Sequence, residues 1–310
     1  MKKVLITGAS GFLGSHIVEE LLNCNYDVYC LKRTKTDIGK VDFFQDKVTW
    51  INIDEYGWKQ HVIDSAPEIF IHSGWNGVGV NDRMEWATQF SNLNFLMDLL
   101  DIAATIKSSK FISFGSQAEY GVFAGCITEE FPVKPTTAYG AAKLASSVLV
   151  ERQCAANNIS WYWLRLFSVF GERESGSWFI PTVINSLLHQ KELQLTACEQ
   201  AYAYMYVKDL ASLVHKIVES DIPSDIYNVS SKKAHALKTV VEKITDIIQP
   251  EFSNIQFGAI PYRENQPMHM QGDVNKLLSK MDGWKESNFE QALQKTVEYF
   301  KQLKDKESNG

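Results

Sequence analysis

The octapeptide TGASGFLG, residues 7–14, joins a strand to a helix and decides the fold. The run KVLITG, which overlaps its start, is short and apolar like a buried strand, and FLGSHIVEELLNC has apolar residues at helical spacing. Glycines at such a junction let the backbone approach a pyrophosphate, and the free N–H groups of the helix N-terminus favour its charge. The octapeptide therefore predicts a dinucleotide-binding turn. Its candidate cofactor contacts are Gly8, Ser10, Gly11, Phe12, Leu13 and Gly14.

The alternation of strand and helix continues along the chain. The later runs DVYCLKR, VTWINI, EIFIHSG, KFISFG and SWYWLRLFSVFG are apolar almost throughout, which indicates a parallel sheet covered on both faces. The expected fold is α/β: a Rossmann-type doubly wound parallel sheet with a smaller C-terminal α/β substrate lobe. We expect residues 1–171 to form the dinucleotide-binding domain, with 201–224 returning to it, and residues 172–310 to form mostly the substrate-binding lobe.

Composition excludes several classes of partner. The formal net charge of −6 over 310 residues argues against binding a phosphate backbone, so no nucleic acid is expected. Five scattered cysteines without a CxxC indicate free thiols in a reducing compartment, and the seven histidines show no metal-ligand spacing, so no metal site is predicted. There is no apolar run of about 20 residues, and we expect a cytoplasmic protein without a membrane partner.

The end of the second predicted strand bears on the choice of dinucleotide. An acidic residue there would bind the adenine ribose 2′-OH, as in NAD sites. The chain instead reads Lys32-Arg33-Thr34, and the next acidic residue after them is Asp37. Two cations suit a 2′-phosphate, so NADP(H) is favoured and NAD(H) is the alternative; the cations would otherwise belong to a solvated loop. Asp54, with Ile53 beside it, is a candidate adenine contact.

Three residues form a catalytic candidate. In PTTAYGAAK, Tyr139 and Lys143 are four residues apart and share one face of a helix. Ser116 directly follows KFISFG at the end of that strand, at the sheet edge where ligands bind. The reference pKa of tyrosine, about 10, is too high for acid–base work at neutral pH, and we expect the Lys143 ammonium to lower it. Ser116 would orient a substrate oxygen toward Tyr139, and Lys143 would hold the nicotinamide ribose.

Together these motifs resemble the extended short-chain dehydrogenases/reductases, and more narrowly the NAD(P)-dependent epimerase/dehydratase branch that acts on nucleotide sugars. LRLFSVFG, YVKDLA (206–211), YNV (227–229) and GW (283–284) lie where that family has such segments, so the resemblance runs nearly end to end. It implies a nucleotide-sugar substrate and a role in polysaccharide biosynthesis. It also implies a homodimer with a four-helix interface, built here from the helix over residues 85–106 and the Tyr139 helix.

The residues after Ser116 separate the activities of that family. Its 4,6-dehydratases have an acidic pair there, where this chain has Gln117 and Ala118, and Glu119 is expected to point to the other face of the strand end. Ala118 also replaces the reactive cysteine of GDP-fucose synthase-like epimerases. Two activities stay open: reduction of a 4-keto (6-deoxy) sugar with Tyr139 as proton donor, favoured by Lys32-Arg33, and 4-epimerisation with tightly bound NAD. A non-catalytic dinucleotide-binding regulator would need neither Tyr139 nor a lysine beside it.

The resemblance also bears on substrate contacts. The family often has asparagine where this chain has Ser168 and arginine where it has Tyr202, which leaves Arg263 as the candidate diphosphate contact, since its fork suits phosphate. In HSGWNG (72–77), His72 is interpreted as a core histidine. The candidate substrate contacts are Trp75, Ser116, Gln117, Tyr139, Ser168, Tyr202 and Arg263, and the remaining cofactor candidates are Ser73, Gly74, Tyr139, Lys143 and Phe167.

Overall fold

The computed structural model describes residues 1–79, 81–251, 253–264 and 266–309, apart from the side chains of residue 40 and of residues 307–309. Its strands are β1 (Lys3–Thr7), β2 (Asp27–Lys32), β3 (Thr49–Asn52), β4 (Ile69–His72), β5 (Lys110–Ser116), β6 (Gly125–Ile127), β7 (Ser160–Leu166), β8 (Ser168–Phe170), β9 (Leu193–Gln194), β10 (Ala201–Tyr202), β11 (Tyr204–Tyr206), β12 (Asp225–Val229), β13 (His235–Ala236), β14 (Ile255–Gln256) and β15 (His269–Gly272). Its α-helices are α1 (Phe12–Asn23), α2 (Trp58–Ser65), α3 (Trp86–Thr105), α4 (Ala138–Ala156), α5 (Phe179–Leu188), α6 (Val207–Glu219), α7 (Leu237–Ile248), α8 (Asn275–Leu278) and α9 (Phe289–Asn309), and short 3-10 segments cover Gly39–Lys47, Asp82–Met84 and Gln117–Glu119.

The predicted parallel sheet is present. Within the described residues it has seven strands in the order β3-β2-β1-β4-β5-β7-β12, and every pairing is parallel. The order of the strands reverses between β1 and β4. In open α/β sheets, ligands bind in the crevice at such a point. The run SWYWLRLFSVFG is not one strand as predicted. The chain leaves the sheet at Phe167, whose N–H donates to the Val229 carbonyl, and continues as β8 paired with β11.

Helices cover both faces of this sheet, as the apolar strands require. In β1, Val4 and Ile6 join a buried cluster with the apolar faces of α1 and α6, whereas Leu5 packs on the other side with those of α3 and α4. Each buried aliphatic side chain of this kind contributes about 1.5–3 kcal/mol by leaving water. The doubly wound α/β fold is therefore confirmed.

The second half of the chain is divided between this sheet and a separate core. α5, α7 and α9 pack around their own buried cluster, next to a small sheet ordered β13-β10-β15-β6. α6 returns to α1, and β12, assigned from sequence to the substrate lobe, lies at the edge of the large sheet. The lobe boundary near residue 171 stays a prediction.

The structure also bears on the cysteines and on membrane-spanning segments. Cys24, Cys30, Cys126, Cys154 and Cys198 are all free thiols. Among the described helices, none combines the length and the apolar character needed to cross a bilayer.

Candidate active site

A cleft of about 1350 Å³ opens at the carboxyl edge of the large sheet, above the crevice between β1 and β4. This volume exceeds the 300–1,000 Å³ of common ligand pockets, and leaves room for a dinucleotide and a second ligand. The structure brings nearly all predicted site residues to its walls, and Asp54 is the exception. They are Gly8, Ser10, Gly11, Phe12, Leu13, Gly14, Lys32, Arg33, Ile53, Ser73, Gly74, Trp75, Ser116, Gln117, Tyr139, Lys143, Phe167, Ser168, Tyr202 and Arg263.

The glycine turn fits a pyrophosphate because it has no room for side chains. Gly8 has a φ of +71°, and a Cβ there would lie 2.7 Å from the Cα of Gly74. A Cβ on Gly14 would overlap the carbonyl oxygen of Gly8. Thr7 ties this turn to β4, since its Oγ1 accepts from the Gly74 N–H at 2.9 Å. The first N–H groups of α1 are therefore presented to the cleft at a close-packed backbone surface.

The end of the cleft beside β2, where the adenine ribose is predicted to bind, is cationic. Lys32 and Arg33 line it with Leu31, Thr36 and Ile53, and none of these described residues is acidic. The Arg33 Nη2 donates to the Asn76 Oδ1 at 3.0 Å, and the Lys32 Nζ lies 5.6 Å from the centre of the Trp50 ring.

Asp54 does not take the predicted place in the wall of the cleft. Its Oδ2 accepts from the Thr34 N–H at 2.8 Å, because β2 and β3 are neighbours and their following loops meet. Asp54 therefore shapes the loop that carries Lys32 and Arg33.

The three catalytic candidates meet in the cleft. Thr137 caps α4, its side chain accepting from the Gly140 N–H at 3.0 Å, so that the first turns of the helix face the end of β5. Tyr139 and Lys143 are both buried, and Tyr139 forms a hydrogen bond with Ser116. The Lys143 Nζ donates to the Phe114 carbonyl at 2.7 Å. The start of α4 and the end of β5 thus bring Tyr139, Lys143 and Ser116 together.

Burial controls the protonation of these groups. It raises the pKa of Tyr139, opposed by the hydrogen bond with Ser116 and by the charge of Arg83. Burial lowers the pKa of Lys143 to about 7, although the negative charge of Glu119 acts to raise it. The prediction that Lys143 lowers the pKa of Tyr139 is therefore wrong for this structure, because burial weakens the lysine charge and penalises the phenolate. Tyr139 is a neutral phenol at neutral pH.

Trp75 contacts both Tyr139 and Lys143. The Lys143 Nζ lies 3.6 Å from the centre of its ring, and the Tyr139 ring meets it edge-on at 6.2 Å. Its Nε1 donates to the Gln89 Oε1 at 2.9 Å, which fixes the indole in the wall. His72 is buried as expected: its Nδ1 bonds to the Thr7 Oγ1 at 2.8 Å, and burial first, then Lys143, lowers its pKa to about 3.

Glu119 holds the turn after Ser116 from below. It is fully buried and accepts from the Ser116 N–H at 2.8 Å, the Trp163 Nε1 at 3.0 Å and the Arg165 Nε at 2.7 Å. These bonds direct its carboxylate into the core, as expected for the far face of the strand end. Gln117, by contrast, lines the cleft.

The far end of the cleft holds three of the predicted substrate contacts, Ser168, Tyr202 and Arg263. The Tyr202 hydroxyl donates to the Pro267 carbonyl at 3.1 Å and accepts from the Gln266 side chain, so it braces the segment that carries Arg263. Burial raises the pKa of Tyr202, while Gln266 and the nearby charge of Arg263 lower it. Ser168, on β8, lines the same region.

Two residues of the cleft had no signal in the sequence. The Arg83 guanidinium lies 5.1 Å from the centre of the Tyr139 ring and 5.9 Å from that of Trp178. Glu174 lines the wall, and its Oε2 has no hydrogen-bond partner among the described residues. Burial raises the pKa of Glu174 to about 8. Both residues lie outside any motif, and only the fold brings them to the site.

Comparisons with known proteins agree with this geometry. Residues 4–230 match the model of the NAD dependent epimerase/dehydratase family. The chain is 24% identical to the CDP-abequose synthase of Salmonella muenchen, over 96% of this chain and 97% of that protein. It is 25% identical to the dTDP-6-deoxy-L-talose 4-dehydrogenase (NAD(+)) of Aggregatibacter actinomycetemcomitans, over 77% of this chain and 88% of that one. The UDP-glucose 4-epimerase of Thermotoga maritima, solved with UDP-glucose, has the same fold: the TM-score is 0.86 at 21% identity, covering 97% and 99% of the two chains.

Proposed function

The chain belongs to the NAD dependent epimerase/dehydratase family, and we propose that it is an NADPH-dependent reductase of nucleotide-linked 4-keto sugars. The observation that carries this proposal is that one cleft contains Ser116, Tyr139 and Lys143 together with the end lined by Lys32 and Arg33, where the adenine would bind. The described residues that line that end include these two cations and no acid. The glycine turn fits a pyrophosphate because it is packed too closely for side chains: a Cβ on Gly14 would overlap the carbonyl oxygen of Gly8. The cofactor would thus lie between the turn and Lys143.

The proposed reaction reduces a carbonyl to an alcohol. When bound in the cleft, a nicotinamide cofactor would supply hydride to the carbonyl carbon. Tyr139, a neutral phenol held by Ser116, donates its proton to the carbonyl oxygen, so that one C–H and one O–H bond form. The phenolate left on Tyr139 is favoured by the hydrogen bond with Ser116 and by the charge of Arg83. Raised by burial, the pKa of Tyr139 suits a residue that must carry a proton into the reaction.

The far end of the cleft supports a nucleotide-linked sugar as substrate. Arg263 can pair with a diphosphate, and its backbone segment is braced by Tyr202. Trp75 and Gln117 would meet the sugar beside Tyr139. Two relatives are named for nucleotide-linked sugars, one CDP-linked and one dTDP-linked. 4,6-Dehydration is disfavoured in this proposal because Gln117 and Ala118 provide no acid–base pair, and the Glu119 carboxylate is directed into the core.

The second candidate is a 4-epimerase, favoured by the fold shared with the Thermotoga maritima enzyme. The same catalytic residues would serve it, but the cofactor would be NAD and would stay bound while hydride returns to the other face of the sugar. Cofactor exchange therefore separates the two reactions.

The deciding experiment identifies the cofactor that remains bound after purification, by mass spectrometry, and then titrates the protein with NADPH and NADH. We expect weak, exchangeable binding with a preference for NADPH. Nucleotide-linked 4-keto sugars should then consume NADPH in equal amounts, followed by its absorbance. Tightly retained NAD⁺, with turnover in the absence of added cofactor, would instead establish the epimerase.

A charge substitution tests the adenine end separately. Arg33→Ala should weaken NADPH binding by about tenfold or more, because a hydrogen bond to a charged group contributes roughly 1.5–3 kcal/mol. NADH binding should change little. Lys35→Ala is the matched control, since Lys35 is exposed two residues away and is not part of the cleft wall. Equal losses for both cofactors in Arg33→Ala would contradict the assignment.

A further inference from the structure

Away from the cleft, the end of α1 and the outer part of α6 bring three metal-ligating side chains together. The Cys24 Sγ lies 3.7 Å from the His215 Nδ1, and the Glu20 Oε1 lies 4.0 Å from the same nitrogen. One ligand atom from each of the three residues lies within 4.8 Å of the others. We propose that Glu20, Cys24 and His215 form a surface binding site for a zinc ion, which joins α1 to α6.

Two of the three separations are close to those of tetrahedral coordination. With Zn–S near 2.3 Å, and Zn–N and Zn–O near 2.1 Å, a tetrahedral site has S···N and N···O separations of about 3.6 and about 3.4 Å. The observed 3.7 Å matches the first, and the observed 4.0 Å needs a movement of about half an ångström by a flexible glutamate. A thiolate, an imidazole and a carboxylate are ligands that zinc accepts together, whereas calcium and magnesium prefer oxygen alone.

The fold holds these residues in place. Glu20 in the last turn of α1 and Cys24 at its C-cap are four residues apart and lie on the same side, and the helix packs against α6 through a common apolar cluster. The Tyr26 ring meets the His215 imidazole edge-on at 5.8 Å, which restrains the imidazole. Glu219, one turn beyond His215, has its carboxylate 3.4 Å from the Lys2 Nζ. The partly exposed cluster leaves the fourth position to water or to Glu219.

The local charge favours a cation. The carboxylates of Glu20 and Glu219 both lie near the Cys24 sulfur. The same two negative charges attract a metal ion, and zinc would displace the thiol proton. Sequence spacing could not predict this site because Cys24 and His215 are 191 positions apart.

The test uses the full chain, treated with a chelator and then titrated with Co²⁺ and Zn²⁺. We expect one Co²⁺ per chain with a thiolate-to-metal absorption band, which Zn²⁺ abolishes by displacement. Cys24→Ser and His215→Gln should each weaken binding by more than about 100-fold, since even outer-shell partners account for about 10- to 100-fold. Cys126→Ser and His189→Gln, at exposed residues elsewhere, should bind as the wild type does.

Thermal unfolding gives a second readout. Zn²⁺ should raise the midpoint of the wild type in a concentration-dependent way, and should not raise that of Cys24→Ser. If that variant fails to fold, Glu20→Gln, at a partly exposed position, replaces it with the same expected loss. The proposal is overturned if no thiolate band appears, or if Cys126→Ser loses binding as much as Cys24→Ser.

Discussion

Glu174 places a carboxyl group in the wall of the cleft with one oxygen that lacks a partner among the described residues. Burial raises its pKa to about 8, so the group is neutral at pH 7 and becomes anionic above about pH 8. A negative charge there would repel a diphosphate-linked substrate. We predict that KM for the substrate rises roughly tenfold above that pH, which corresponds to a repulsion of about 1.4 kcal/mol. Steady-state kinetics between pH 6 and about 9 would measure it.

Two variants isolate the charge of Glu174. Glu174→Gln keeps the shape and the hydrogen-bonding capacity but cannot ionise, so its KM should stay flat where that of the wild type rises. Glu264→Gln is the control, because Glu264 is an exposed acid that lines the same cleft. Its profile should follow the wild type. A Glu174→Gln profile that still rises would assign the effect to another group.

For single residues, the sequence predicts where a side chain lies better than it predicts the pKa or the contacts of that side chain. Tyr139 and Lys143 could be placed because helical spacing alone puts residues four apart on one face. The direction of the pKa shift of Tyr139 could not, since it depends on burial by the rest of the fold. Arg83 reaches the Tyr139 ring from a short 3-10 segment, and no local pattern indicates that contact.

The turn that follows β5 depends on a buried ion pair. The Glu119 carboxylate accepts from Arg165 at 2.7 Å and also holds the Ser116 N–H, so it positions a catalytic candidate. Glu119→Gln would leave the Arg165 charge buried without a counter-charge. We predict a loss of about 3–5 kcal/mol in the free energy of unfolding. The thermal midpoint should fall by on the order of 10 °C.

The control for that prediction is an ion pair at the surface. The Lys59 Nζ lies 2.5 Å from the Asp98 Oδ1, and both side chains are exposed. Asp98→Asn should cost less than about 1 kcal/mol, because water screens such pairs. If the two variants lost the same stability in thermal or urea unfolding, the Glu119 pair would not have the structural role assigned to it.

The elements divide by the strength of their local pattern into those that sequence predicts and those that it does not. Six strands of the large sheet are predicted because they lie in continuous apolar runs, and α3 and α4 are predicted too, whereas β12 is not. The small sheet β13-β10-β15-β6 has strands of two to four residues, too short for a period-two pattern to show. These strands form because distant segments meet, and a reading of local patterns misses them.

An apolar surface on α3 and α4 indicates how the whole molecule assembles. Trp86 and Phe90, one turn apart on α3, are 55% and 60% exposed, and Val148 on α4 is 50% exposed. The rings of Trp86 and Phe90 are 6.4 Å apart, so they form one continuous patch. Exposed apolar patches of this kind mark interaction surfaces. A second copy of the chain, docking the same two helices, would bury them in a four-helix interface, as the family resemblance implies.

We therefore predict that the protein is a homodimer and that Phe90→Glu yields a monomer, because the substitution would place a charge in the apolar centre of the interface. Sedimentation or light scattering at micromolar concentration would show the mass fall by half. Tyr56→Glu is the matched control, since Tyr56 is a fully exposed aromatic residue in the turn after β3. It should leave the dimer intact. A wild type that sediments as a monomer would leave the exposed Trp86 and Phe90 to some other partner, and would separate this chain from the assembly that its family resemblance implies.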